Sequence, residues 1–138
     1  MIQTATQYLK AGLSVLPAKR ADKRPAIGSW KKYQNRLPTE TEVNAWLANP
    51  QDGICIITGQ VSGNLEIIDF DNGGELFDAW YSMIDADLRN RLAIEQTPSG
   101  GWHAIYRCES AISGNMKLAQ RKSGEKVKTL IETLENKK

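Results

Sequence analysis

The sequence predicts a single α+β domain. The chain has 138 residues, of which 41% are hydrophobic and 25% charged, the proportions of one soluble globular domain with a real core. Short apolar runs of strand length recur along it, bounded by glycine, proline and asparagine. Helical segments interrupt what reads as a largely antiparallel strand set, and no internal repeat or linker is visible.

Taken in order, Ile2, Ala5, Tyr8 and Leu9 fall at helical spacing, and Gly12 stops that helix. Leu13 to Pro17 reads as a short strand ended by proline, followed by a loop through Trp30. Thr39-Glu40-Thr41-Glu42 has the form of a capping box. The helix it starts presents Val43, Trp46 and Leu47 on one side and stops at Asn49-Pro50. Gly53 to Thr58 is an apolar strand, residues 59–64 form a turn, and Leu65 to Asp71 is the next strand. The two strands are expected to form a hairpin. Gly74 to Ile84 is expected as a helix whose stripe of Leu76, Phe77, Trp80, Met83 and Ile84 packs on a sheet. A short helix follows over Ala86 to Leu92. Ala93 to Gln96 and Trp102 to Cys108 read as strands joined by the turn Thr97-Pro98-Ser99-Gly100-Gly101. Residues 109–126 are polar and read as a mobile loop. Val127 to Leu134 is the last strand, either an edge with a charged tail or the point where a fragment of a longer protein stops.

A net charge of +2 does not by itself argue for nucleic acid. Basic clusters at residues 19–24, at Lys31-Lys32 and from Lys117 to Lys128 read as solvated faces, or as phosphate contacts beside a suitable site. Cys55 and Cys108 lie far apart without zinc-ligand spacing and read as buried thiols in a reducing compartment. The N-terminus lacks the pattern of a signal peptide, and no run reaches the ~20 apolar residues of a membrane span. A cytoplasmic protein without membrane contact is expected.

The chemistry concentrates at Leu65-Glu66-Ile67-Ile68-Asp69-Phe70-Asp71. Side chains alternate faces in a strand, so Asp69 and Asp71 point the same way at its end. Paired carboxylates are tolerable there if solvated, or if a divalent cation sits between them. Glu132, inside another apolar run, offers a third carboxylate. Oxygen-only ligands suit Mg²⁺ or Mn²⁺ and the chemistry of phosphoryl or nucleotidyl transfer. The Asp-x-Asp pattern also occurs in nucleotide-sugar transferases and hydrolases. His103, the one histidine of the chain, follows Gly100-Gly101 and shares a strand face with Ile105 and Arg107. It reads either as a phosphate donor beside the Arg107 fork or as a half-buried histidine bonded to a carbonyl. Lys23, beside Pro25, reads as a phosphate contact or a solvated loop. Trp30 and Tyr33 lie among lysines and could stack on bases, though core packing is the better reading for Trp30.

The residues Gly12-Leu13-Ser14-Val15-Leu16-Pro17, Lys23-Arg24-Pro25, Trp30, Trp46, Gly59, Ile67-Ile68-Asp69-Phe70-Asp71, Thr97-Pro98-Ser99-Gly100-Gly101-Trp102-His103 and Leu130-Ile131-Glu132-Thr133 occur in a characteristic order. From about Tyr8 to Thr133 the chain resembles the N-terminal bifunctional primase/polymerase (prim-pol) domain of the archaeo-eukaryotic primase superfamily, found in replication proteins of phages, plasmids and prophages. The resemblance implies an N-terminal α/β module beside a mostly antiparallel sheet related to the RNA-recognition motif. It implies that Asp69, Asp71 and Glu132 bind Mg²⁺ or Mn²⁺ and that His103 contacts the phosphates of the incoming nucleotide. Ser99, Gly101, Arg107 and Lys23 are grouped with His103 as nucleotide-contacting candidates. The implied reaction is template-directed nucleotidyl transfer, starting or extending a primer, with a DNA template and primer and nucleoside triphosphates as partners.

Members of that family usually continue past the third acid with a glycine-rich stretch, a further strand and often a helicase domain. The resemblance therefore implies that residues 1–138 are one prim-pol domain, C-terminally truncated and part of a longer replication protein, with weak or no primer synthesis alone. The competing reading is a catalytically inactive nucleic-acid- or replisome-binding module that keeps the prim-pol fold. A nucleotide-sugar transferase would need a longer nucleotide-binding half than this chain has room for.

Overall fold

The computed structural model describes residues 1–134, arranged as two antiparallel sheets with four helices. The charged tail, residues 135–138, lies outside the described residues. Helices α1 (Ile2–Lys10) and α2 (Glu40–Leu47) belong with a three-stranded sheet of β1 (Ser14–Lys19), β2 (Arg24–Pro25) and β3 (Gly53–Ile57), in the order β2-β1-β3. The expected capping box forms: Thr39 accepts from the Glu42 amide at 3.1 Å, and Glu42 accepts from the Thr39 amide at 2.9 Å. Alternation along β1 sends Val15 and Leu16 to opposite faces. Val15 packs with Ala5, Val43 and Leu47 of the two helices. Leu16 packs with Ile57 and with Tyr33 of the 3-10 turn Lys31–Gln34, and Trp30 joins that cluster, so its core role holds.

The second sheet has five strands in the order β5-β6-β4-β8-β7: β4 (Leu65–Phe70), β5 (Ala93–Gln96), β6 (Trp102–Arg107), β7 (Lys117–Ser123) and β8 (Lys126–Leu134). One face is covered by α3 (Phe77–Met83), where Phe70, Phe77 and Ala104 form the core with Ile68, Trp80, Ile94, Trp102 and Ile131. Phe77 stacks on Trp102 at 4.6 Å and meets Phe70 edge-on at 5.2 Å. A short α4 (Ala86–Arg89) follows, capped by Asp85.

Four expectations are corrected. Strands β3 and β4 do not form a hairpin: β3 pairs along its length with β1, and only a bridge between Gly59 and Leu65 joins the two runs. A 3-10 turn at Gln60–Ser62, flanked by Gly59 at φ 90° and Gly63 at φ 72°, sends the chain into the other sheet. Buried Ser62 fixes this crossing, accepting from the Ser14 amide at 2.9 Å and donating to the Ile57 carbonyl at 2.5 Å. The polar stretch before Lys126 is not all loop. It contains β7, paired with β8 from Lys117↔Glu132 to Ser123↔Lys126 and polar because it is the exposed sheet edge. Consequently β8 is an interior strand and not an edge. Finally, the expected Gly74–Ile84 helix begins only at Phe77, because Gly73 and Gly74 hold left-handed φ angles, and Met83 is 77% exposed and lies outside the packed stripe.

Candidate active site

The pairing register places Glu95 of β5, His103 of β6, Asp69 of β4, Glu132 of β8 and Lys117 of β7 in direct succession across all five strands. Directly opposite residues share a face and hold their Cβ atoms ~4.5–5.5 Å apart. The result is one row of charges reading acid, imidazole, acid, acid, amine, on the face opposite the α3 core. Asp71 joins from just past β4. Its backbone stays extended (φ −84°, ψ −175°) and its amide donates to the Leu130 carbonyl at 2.9 Å, so its side chain remains on the Asp69 face. Carboxylate oxygens of Asp69, Asp71 and Glu132 lie within 4.8 Å of one another.

Three carboxylates this close repel unless positive charge lies among them. Lys117 forms an ion pair with Glu132, and His103 Nε2 stands 3.4 Å from Asp69 Oδ1 while its Nδ1 stands 2.8 Å from Glu95 Oε1. The His103 pKa is pushed up to about 9, first by Asp69 and then by Glu95, against a smaller opposing effect of burial. The ring is therefore an imidazolium at neutral pH. The same hydrogen bond holds Glu95 below the usual carboxylate range. The donor set fits a hard divalent cation: three convergent carboxylates, no sulfur, and flanking cations that already mark the site as one needing positive charge.

The other residues singled out in the sequence do not join this group. Arg107 shares the His103 face, but four residues along β6 is roughly 13 Å. Its guanidinium Nη2 donates to the Ala11 carbonyl at the end of α1 at 2.6 Å and lies along Gly63. Instead of standing beside the cluster, its guanidinium ties β6 to the end of α1. Gly101 is buried, and a Cβ there would sit 2.5 Å from the Phe70 carbonyl oxygen. Its lack of a side chain lets β6 start tightly against β4, a packing role for a residue grouped with the nucleotide-contacting candidates. Ser99 is exposed in the turn before β6, its hydroxyl 3.2 Å from that of Thr97. Lys23 lies in the turn between β1 and β2, exposed, on the other sheet.

Sequence reasoning missed Glu95, and it read Lys117 only as part of a basic stretch, not as the partner of Glu132. Both are exposed residues of edge strands, and only the cross-strand register brings them into the row.

Fold and site define a two-sheet α+β domain with a carboxylate cluster held between cations on the sheet face opposite α3. The chain belongs to the bifunctional DNA primase/polymerase, N-terminal (Prim-Pol) family, whose model matches residues 5–137. It is a primase/polymerase-type domain, of a family that is typically metal-dependent and acts on DNA and nucleotides. No curated protein matches the chain. Among the described residues no helix is long and apolar enough to cross a membrane.

Proposed function

We propose that this domain catalyses metal-dependent, template-directed nucleotidyl transfer, starting or extending a DNA primer with nucleoside triphosphates. The observation that carries the reading is the convergence of Asp69, Asp71 and Glu132 from two adjacent strands beside His103. Family membership supplies the reaction class. A bound Mg²⁺ or Mn²⁺ supplies Lewis-acid charge to the attacking hydroxyl and the triphosphate. Asp69, Asp71 and Glu132 would hold it through carboxylate oxygens. His103 sets its Nε2 3.4 Å from Asp69 at the edge of the cluster, where a phosphate oxygen would accept a hydrogen bond from the ring. Glu95 holds the imidazole ring from behind through Nδ1, fixing which nitrogen faces the cluster. The setting we propose is cytoplasmic replication of phage, plasmid or prophage DNA, with a helicase domain in the same parent protein; the family resemblance is what supports it.

The test is calorimetric titration of a deoxynucleoside triphosphate into the chain with and without Mn²⁺. Saturable binding should require Mn²⁺. It should be lost in Asp69→Asn/Asp71→Asn and weakened at least about tenfold in His103→Ala, which removes one charge-assisted hydrogen bond. Triphosphate binding that ignores Mn²⁺ and both acids would refute the reading.

A further inference from the structure

Beyond Lys117, which pairs with Glu132, the β7–β8 hairpin carries charge that the carboxylate site does not use. Strand β4 pairs with β8 only from Ile131 to Leu134, so the distal half of the hairpin is held by β7 alone. From Met116 to Leu130 the hairpin holds Lys117, Arg121, Lys122, Lys126 and Lys128 against a single acid, Glu125. Alternation places Lys126 and Lys128 on the Glu132 face. The register sets Arg121 opposite Lys128 and Lys117 opposite Glu132. Four of the five cations therefore share the face of the carboxylate cluster, and Lys122 lies on the other.

This face leans on the loop that leaves Asp71. Arg121 Nη1 pairs with Glu75 Oε1 at 3.0 Å, and the Lys128 ammonium donates to the Asn72 side-chain carbonyl. Lys126 has no ion pair among the described residues and is exposed. From the Glu132 level to Lys126 the row spans roughly 20 Å, the axial length of about six phosphates along one strand of a duplex. From Met116 to Leu134 the hairpin contains no aromatic residue on which a base could stack. A cationic row without stacking platforms suits a sugar–phosphate backbone rather than exposed bases.

We propose that the site-facing side of the β7–β8 hairpin (Arg121, Lys126 and Lys128, continued by Lys117) is a track for the sugar–phosphate backbone of a template–primer duplex whose end reaches the carboxylate cluster. The proposal rests on the function proposed above. The competing explanation is that lysines merely protect an exposed edge strand from pairing with another chain. That role would not distinguish the two faces of the hairpin and would leave DNA affinity untouched.

The test is fluorescence anisotropy of a labelled primer–template duplex across salt concentrations of about 50 to 200 mM. The variants are Arg121→Gln/Lys126→Gln/Lys128→Gln and, on the opposite face, Lys122→Gln, each checked for native circular dichroism. The triple variant should bind at least about tenfold more weakly at the low-salt end. Its slope of log affinity against log salt should be shallower by about 2 to 3, near 0.9 for each phosphate no longer neutralised. Lys122→Gln should change neither. Wild-type affinity and slope in the triple variant, or an equal effect of Lys122→Gln, would overturn the proposal. Mn²⁺-dependent triphosphate binding, measured on the same proteins, should survive in the triple variant; its loss would make the hairpin part of the nucleotide site and overturn the track. If the wild type binds duplex through these residues but binds no triphosphate, the track stands and the catalytic reading fails.

Discussion

His103 sits between two acids, and its charge state follows from that placement. Its pKa is held near 9 in the folded, metal-free protein, above the ~6.5 of an unfolded chain. The pairing therefore stabilises the fold fully below pH ~6.5 and is lost as pH rises through about 9. Glu95→Gln removes one of the two raising partners. The His103 ring titration followed by NMR should then shift to lower pH than the wild type, and an unchanged midpoint would show that Glu95 does not act on the ring. At this scale the acids and the histidine are legible in the sequence: Asp69, Asp71 and His103 by strand periodicity beside glycines, Glu132 by its place in an apolar run. Glu95 and Lys117 are not, since pairing across strands is set by register, which local sequence does not encode. The packing role of Gly101 is hidden for a related reason. A glycine next to a candidate ligand residue suggests ligand approach, whereas what fills the space over it is the Phe70 carbonyl of the neighbouring strand.

Among elements, β6 serves two regions at once. Its His103 end faces the carboxylates, and its Arg107 end bonds the last turn of α1, where a cation also meets the negative end of the helix dipole. Arg107→Ala should lower stability by about 1–2 kcal/mol, the worth of an exposed charge-assisted hydrogen bond, seen as a lower denaturant midpoint. Mn²⁺-dependent triphosphate affinity should stay within about twofold of wild type, an energy difference near 0.4 kcal/mol. Weakened affinity with unchanged stability would restore Arg107 to the nucleotide site. The helices are legible from caps and stripes: Thr39 and Glu42 start α2, and Phe77 and Trp80 mark the packed side of α3. Strand β7 is not, because an edge strand exposed on both faces has no apolar alternation to betray it, and Lys117-Leu118-Ala119-Gln120-Arg121-Lys122 reads locally as loop.

Across the whole molecule, the division into two sheets explains why the site lies where it does. The three-stranded sheet is covered by helices on one side and by the Lys31–Gln34 turn on the other. The five-stranded sheet is covered by α3 on one face, and the carboxylates stand on the opposite face, where Leu65, Leu130 and Leu134 are buried beside them. The α+β class is legible from segment order, and the split is not, because β3 and β4 are adjacent in sequence and separated by a turn that could equally close a hairpin. The two strands that supply the carboxylates, β4 and β8, are more than fifty residues apart in the chain and become neighbours only through this topology. The claim on which the account depends is that their three carboxylates form one cation site. Titration of Mn²⁺ into the nucleotide-free protein, followed by electron paramagnetic resonance, tests it most directly. The wild type should bind saturably, and Asp69→Asn, Asp71→Asn and Glu132→Gln should each weaken binding by at least about tenfold. Equal Mn²⁺ binding by the wild type and all three variants would contradict the account.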